Sequence, residues 1–189
     1  MDAEKFSNPA DAARLSNPVD AEKLRALQAP LKERYKADPA SALVTLRAVG
    51  RLEKDVACDV ETWRGHAVAG LHPATGGDGS LACSGDMLLQ ALVGCAGVTL
   101  AAVATAMGIA IRSGRVLAEG DLDFRGTLGV AKDAPVGFRA IRLAFELDTD
   151  ADEAKVAKLV ELTERYCVVA QTLRAGCAPS TSWRRTAGS

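Results

Sequence analysis

Aromatic side chains are few in this chain: four Phe, two Tyr and two Trp among 189 residues. A close-packed core must therefore be assembled from Ala, Val and Leu, which a 48% apolar content allows. Histidine is rarer still, at His66 and His72 only. The five cysteines, Cys58, Cys83, Cys95, Cys167 and Cys177, form no C-x-x-C pair. That spacing lacks the ligand cluster a zinc site needs, so neither metal nor cofactor is expected. An odd cysteine count also argues against a structural disulfide framework. No charge sign dominates: 23 Lys and Arg stand against 24 Asp and Glu. No basic stripe with interleaved aromatics speaks for nucleic acid, and no polybasic patch speaks for a membrane surface. The start, Met1-Asp2-Ala3-Glu4-Lys5, is polar and lacks the apolar stretch of a secretory signal, which predicts a cytoplasmic protein.

Charge is missing altogether from Met87 to Ile111. Ser84 reads as an N-cap, with Asp86 in the first turn. A run of this length must be weighed against a membrane span. Gln90, Thr99, Thr105 and several Gly and Ala weaken that reading, and charged, strand-like sequence follows at once. A helix apolar on all sides belongs in a core, so a buried central helix is expected.

Around this helix the pattern is mixed. Ser7-Asn8-Pro9-Ala10-Asp11 is echoed by Ser16-Asn17-Pro18-Val19-Asp20, and each copy reads as a helix start. Residues 1–15 read as loose and 18–37 as helical, so 1–39 form an N-terminal arm and 40–189 the main domain. Ser41 to Leu52, Val56 to Trp63 and Gly65 to Gly70 read as strands. Residues 73–80, rich in Gly, read as a loop. Arg112 to Gly129 and Gly137 to Asp148 alternate like strands. Asp148-Thr149-Asp150 reads as the cap of a helix ending near Tyr166, and Cys167 to Leu173 as a further helical piece. Ser180 to Trp183 reads as a last strand. The order predicts an α+β fold with antiparallel sheets wrapping the central helix. One small sheet cannot cover that helix, so a second sheet or subunit is implied.

Nothing local pairs the five thiols. Free cysteine is among the most buried residue types, and packing alone accounts for any one of them. A helix N-terminus near Cys167 would favour its thiolate, whereas Cys95, in mid-helix, needs a cation to activate it. The segment from Ser84-Gly85-Asp86-Met87-Leu88-Leu89 to Gly94-Cys95 resembles the central helix of the OsmC/Ohr family. Glu164-Arg165-Tyr166-Cys167-Val168-Val169 is similar to that family's second cysteine segment. The Gly76-Gly77-Asp78-Gly79 loop and the strand pair between the helices stand in the same order. The resemblance spans about residues 41–183 and leaves the arm outside. It implies an OsmC-like fold, an intertwined homodimer and a thiol peroxidase of oxidative-stress defence. Cys95 would attack the hydroperoxide, Cys167 would resolve the product as a disulfide, and an external dithiol would reset the pair. It also implies an activating arginine and an orienting acid. Asp86 is the nearest match to the acid, and Arg64 or His72 stands nearest the arginine's place. An apolar pocket beside Cys95 would favour organic hydroperoxides over hydrogen peroxide. The alternatives are a non-catalytic dimeric scaffold, a small-ligand binder or a redox sensor.

Overall fold

The computed structural model describes residues 20–185. The loose start expected over 1–15 and most of the repeat lie outside the described residues. The arm's helix is α1, Ala21–Ala37, capped by the Asp20 carboxylate on the Lys23 amide at 2.7 Å. It touches the central helix but buries no residue completely.

The first sheet holds β1 (Gly50–Glu53), β2 (Ala57–Thr62), β3 (Gly65–Gly70) and β4 (Ala82–Cys83), in that order. β1 to β3 form an antiparallel meander, and the two-residue β4 pairs parallel to β3. The strand expected over Ser41 to Leu52 is corrected. Asp38 caps a short turn at Pro39–Ala42, and only Gly50–Glu53 enters the ladder. Leu43, Val44 and Leu46 stay exposed. Strand propensity is realised only against a pairing neighbour.

The Gly-rich loop returns the chain from β3 to the central helix. A Cβ at Gly77 would lie 1.9 Å from the Leu71 carbonyl oxygen, so only glycine permits that close approach. The central helix, α2, runs from Ser84 to Met107 and ends on Gly108 in the left-handed conformation. Cys83, not Ser84, occupies the N-cap position. Within the chain α2 buries only one stripe: Leu92, Ala96, Leu100 and Ala104, four residues apart. Its other face is open, with Val98 74% exposed. Among the described residues α2 is thus buried on one side, and the cover that the sequence demands for the other side does not come from them. α2 is long and apolar enough to cross a membrane by length and composition, yet it packs on the strand Ser113–Asp121 and the helices Glu153–Tyr166 and Val168–Ala175.

β5 (Ser113–Asp121) and β6 (Ala140–Asp148) form an antiparallel pair. Val116, Ala118, Ile141, Leu143 and Phe145 face the core. Arg115 with Glu146 and Arg142 with Asp121 alternate outward as ion pairs. The strand expected from Arg112 to Gly129 stops at Asp121. Asp123 caps a helical turn, α3 (Phe124–Thr127), and binds Arg125 at 2.5 Å. α4 (Glu153–Tyr166) is capped by Asp152 rather than by the 148–150 cluster. Asp148 and Asp150 instead hold Arg112. α5 (Val168–Ala175) follows with Cys167 as its N-cap. Residues 180–183 form no strand, and Trp183 is exposed.

Candidate functional site

The packing that builds the site starts on α4. Leu159, Thr163 and Cys167 are spaced by four and are all fully buried. This stripe lies along that of α2. Leu159 meets Leu100 and Ala104, while Cys167 meets Leu92 and Ala96. The helices therefore run in opposite directions, and the seam delivers Cys167 to the side of Cys95.

The chain then turns sharply. The Cys167 amide still bonds the Thr163 carbonyl at 2.9 Å and closes α4. Its sulfur accepts from the Ala170 amide at 3.5 Å and opens α5. The first turn of α5, with the amides of Val168 and Val169, also faces the Cys95 sulfur. The N-terminus of α5 is thus turned toward both sulfurs.

The two thiols differ in acidity. Burial alone would push Cys95 up, but hydrogen bonds outweigh it and hold the thiol below its ordinary value. They come from the Val169 amide, the Cys167 thiol and the Val168 amide. The Thr99 hydroxyl lies nearby, with its proton given to the Cys95 carbonyl at 2.8 Å. Cys167 is pushed up, first by burial and then by the neighbouring Cys95, despite help from the Ala170 amide. This reverses the expectation from sequence: the helix N-terminus next to Cys167 serves Cys95.

The remaining candidates lie elsewhere. Asp86 sits nine residues before Cys95, about 14 Å along the helix and half a turn round. It lines a cavity of ≈ 370 Å³ with His72, Cys83 and Phe124. The His72 ring stacks on Phe124 at 4.8 Å, and its Nδ1 accepts from the Ala74 amide at 3.0 Å. Arg64 occupies the β2–β3 hairpin, its guanidinium 4.5 Å over the Trp63 ring. The structure therefore joins Cys95 with Cys167 and His72 with Asp86. Among the described residues no arginine or histidine acts on Cys95. Within the single chain Arg64 stands at a hairpin tip, and His72 and Asp86 lie round α2 from Cys95. Cys58 and Cys83 are half-buried, and Cys177 is exposed. Among the described residues no three His, Cys, Asp or Glu are placed to hold a metal ion.

Sequence reasoning missed the two amides, because backbone donors carry no residue signature. The spacing Leu159-Thr163-Cys167 was the available signal. Also missed was a cavity of ≈ 340 Å³ that neither cysteine lines, with Leu92, Arg139, Glu164, Ala170 and Arg174 among its lining residues.

The lowered Cys95 value has a direct consequence. Alkylation of Cys95 should rise with pH through a midpoint below that of a free cysteine. Cys167→Ala removes one donor to the thiolate and should move that midpoint upward. Iodoacetamide labelling followed by peptide mass spectrometry checks both, and a midpoint at or above the free value would contradict the geometry.

A family model described as OsmC-like protein matches residues 77–182, just over half of the chain. No curated protein is similar to the chain in sequence. Several solved structures share its fold. An OsmC-like protein from Mycoplasma pneumoniae is 17% identical, with a TM-score of 0.60 over 70% of this chain and 89% of that one. An organic hydroperoxide resistance protein, OsmC, from Legionella pneumophila is 15% identical, with a TM-score of 0.56 over 70% and 92%. An organic hydroperoxide resistance protein from Elizabethkingia anophelis, with thiocyanate bound, is 14% identical, with a TM-score of 0.53 over 71% and 91%.

Proposed function

The chain belongs to the OsmC-like family, and on that premise we propose that it is a thiol peroxidase that reduces organic hydroperoxides in oxidative-stress defence. The observation that carries this reading is the Cys95 sulfur, packed beside Cys167 and faced by the first turn of α5. A family whose solved relatives include organic hydroperoxide resistance proteins gives the pair a chemical context.

The cycle runs in three steps. The Cys95 thiolate attacks the distal oxygen of ROOH, forming an S–O bond as the O–O bond breaks. The products are a sulfenic acid and an alkoxide, which takes a proton to leave as ROH. The Cys167 sulfur then attacks the Cys95 sulfur, forming the disulfide and expelling water. An external dithiol exchanges with that disulfide, is oxidised itself, and returns both thiols. The partly buried setting of Cys95 among Leu92, Val116 and Leu143 favours apolar peroxides over hydrogen peroxide.

The same reading includes a homodimer in the reducing cytoplasm. The open face of α2 and the exposed Leu43, Val44, Leu46 and Leu52 offer a large apolar area for a second copy to cover.

Less than one equivalent of cumene hydroperoxide tests the cycle, with cysteine states mapped under non-reducing conditions. A Cys95–Cys167 bridge in proportion to the peroxide added is expected, in a species that light scattering weighs as two chains. A bridge elsewhere, or none, defeats the two-thiol mechanism, and a single-chain mass defeats the dimer.

A further inference from the structure

The Val168 amide is a donor displaced from the preceding helix. Were α4 to run on past Tyr166, that amide would bond the Glu164 carbonyl four residues back. Cys167 prevents this, because its φ of −72° and ψ of 109° lie outside the helical range. α4 therefore closes with the Cys167 amide on the Thr163 carbonyl at 2.9 Å. The Glu164 carbonyl, one residue on, then needs a donor from outside the helix ladder.

Gln171 supplies it. Its side-chain Nε2 reaches back across the corner and donates to the Glu164 carbonyl at 2.7 Å. Its own backbone amide bonds the Cys167 carbonyl at 2.9 Å and belongs to α5. One residue thus spans the corner, with its main chain on α5 and its side chain on α4. Arg174 adds an ion pair with the Glu164 carboxylate at 2.9 Å, but both side chains are open to solvent, so that pair contributes little. With the Glu164 carbonyl occupied, the start of α5 is left to the core, where Val169 and Ala170 pack with Cys95 and Cys167.

We propose that Gln171 is a positioning residue of the thiol pair: by holding the Glu164 carbonyl it keeps the Val168 amide turned toward the Cys95 sulfur. The proposal rests on the peroxidase reading for its part in turnover, but its effect on Cys95 is readable without peroxide. Gln171 acts through the backbone and takes no part in the bond changes. Cys167 is the titratable group packed against Cys95, and among the described residues no charged side chain acts on that thiol. A change of Cys95 reactivity on replacing Gln171 therefore travels through the corner.

Iodoacetamide labelling of Cys95 across pH tests it. Gln171→Leu keeps a side chain of similar size and loses the donor. Labelling at neutral pH should slow about threefold or more, within the contribution of one hydrogen bond to a charged group, and the midpoint should rise. The two rates should converge at high pH, where the thiol ionises in both proteins. Val168→Pro deletes the amide itself. Proline suits the first helical position, and the extended backbone of Cys167 suits a residue before proline. This variant should raise the midpoint too, and Gln171→Leu added to it should change nothing more. Arg174→Gln opens only the ion pair and should slow labelling less than Gln171→Leu does. An unaltered midpoint in Gln171→Leu, even with a loss of stability in urea, would reduce Gln171 to a structural tie and overturn the proposal. So would a full Gln171→Leu effect on top of Val168→Pro, or a larger effect from Arg174→Gln. With cumene hydroperoxide, Gln171→Leu should slow sulfenic acid formation at neutral pH by a similar factor. If the native protein forms no Cys95–Cys167 bridge, the peroxidase reading fails by itself, and labelling still decides the role of Gln171.

Discussion

Cys95→Ser should abolish peroxide consumption, with a loss of about 10³-fold or more in turnover. A serine hydroxyl is hardly ionised at neutral pH, and amide donors aimed at its oxygen cannot make it a comparable nucleophile. Cys167→Ser should behave differently. Its Cys95 retains the amides of Val168 and Val169, so the first attack proceeds. The sulfenic acid then has no neighbouring thiol and accumulates, and dimedone should trap it at one site per chain. Steady turnover with a dithiol should fall sharply while one stoichiometric round remains. Cys177→Ser changes an exposed thiol after α5 and should leave every phase as it was. Continuous peroxide assays and a single-turnover trace on each variant separate these outcomes. Sustained turnover by Cys95→Ser would refute the assignment of the nucleophile.

That distinction between the thiols was only half legible in the sequence. The uncharged run from Met87 to Ile111 marks α2 plainly, and the alternation around Val116 and Leu143 marks β5 and β6. The first signal is compositional and the second periodic, and both survive without knowledge of partners. The stretch from Ser41 to Val49 misled for the opposite reason. Its Leu, Val and Thr have strand propensity, but a strand also needs a neighbour to pair with, and among the described residues only Gly50–Glu53 finds one on this side. The caps misled in a similar way. Asp148 and Asp150 are good cap residues, yet Arg112 recruits both, and Asp152 takes the cap. At the site, the identities of Cys95 and Cys167 were visible, and their pairing came from family resemblance. Which thiol is activated depends on a turn at Cys167 that starts a new helix. The sequence places a helical piece after Cys167, but it carries no sign that the first amides of that piece point to a different cysteine.

Leu159→Ala should cost about 3 kcal/mol in unfolding free energy, within the range for fully buried leucines. Leu159 lies between Leu100 and Ala104 of α2 and the strand residues Phe145 and Leu147. Helix and sheet hold this space from two sides, so collapse around the gap is limited. Met107 borders it too, and its flexible side chain can move part way in, which keeps the loss below the top of the range. Thr163→Val one turn later should cost much less, about 1 kcal/mol at most. The Thr163 hydroxyl only returns a hydrogen bond to the Leu159 carbonyl of its own helix, and valine fills the same volume. Urea denaturation of the two variants gives both values. The pair also tests how the site is held. Leu159 lies two turns from Cys167, whereas the donors to Cys95 belong to α5, which Gln171 and Arg174 tie to Glu164 at 2.7 and 2.9 Å. Leu159→Ala should therefore lower stability while leaving the alkylation midpoint of Cys95 unchanged. A midpoint that rises together with the loss of stability would mean that the α2–α4 seam, rather than the anchoring of α5, keeps the amides on the sulfur.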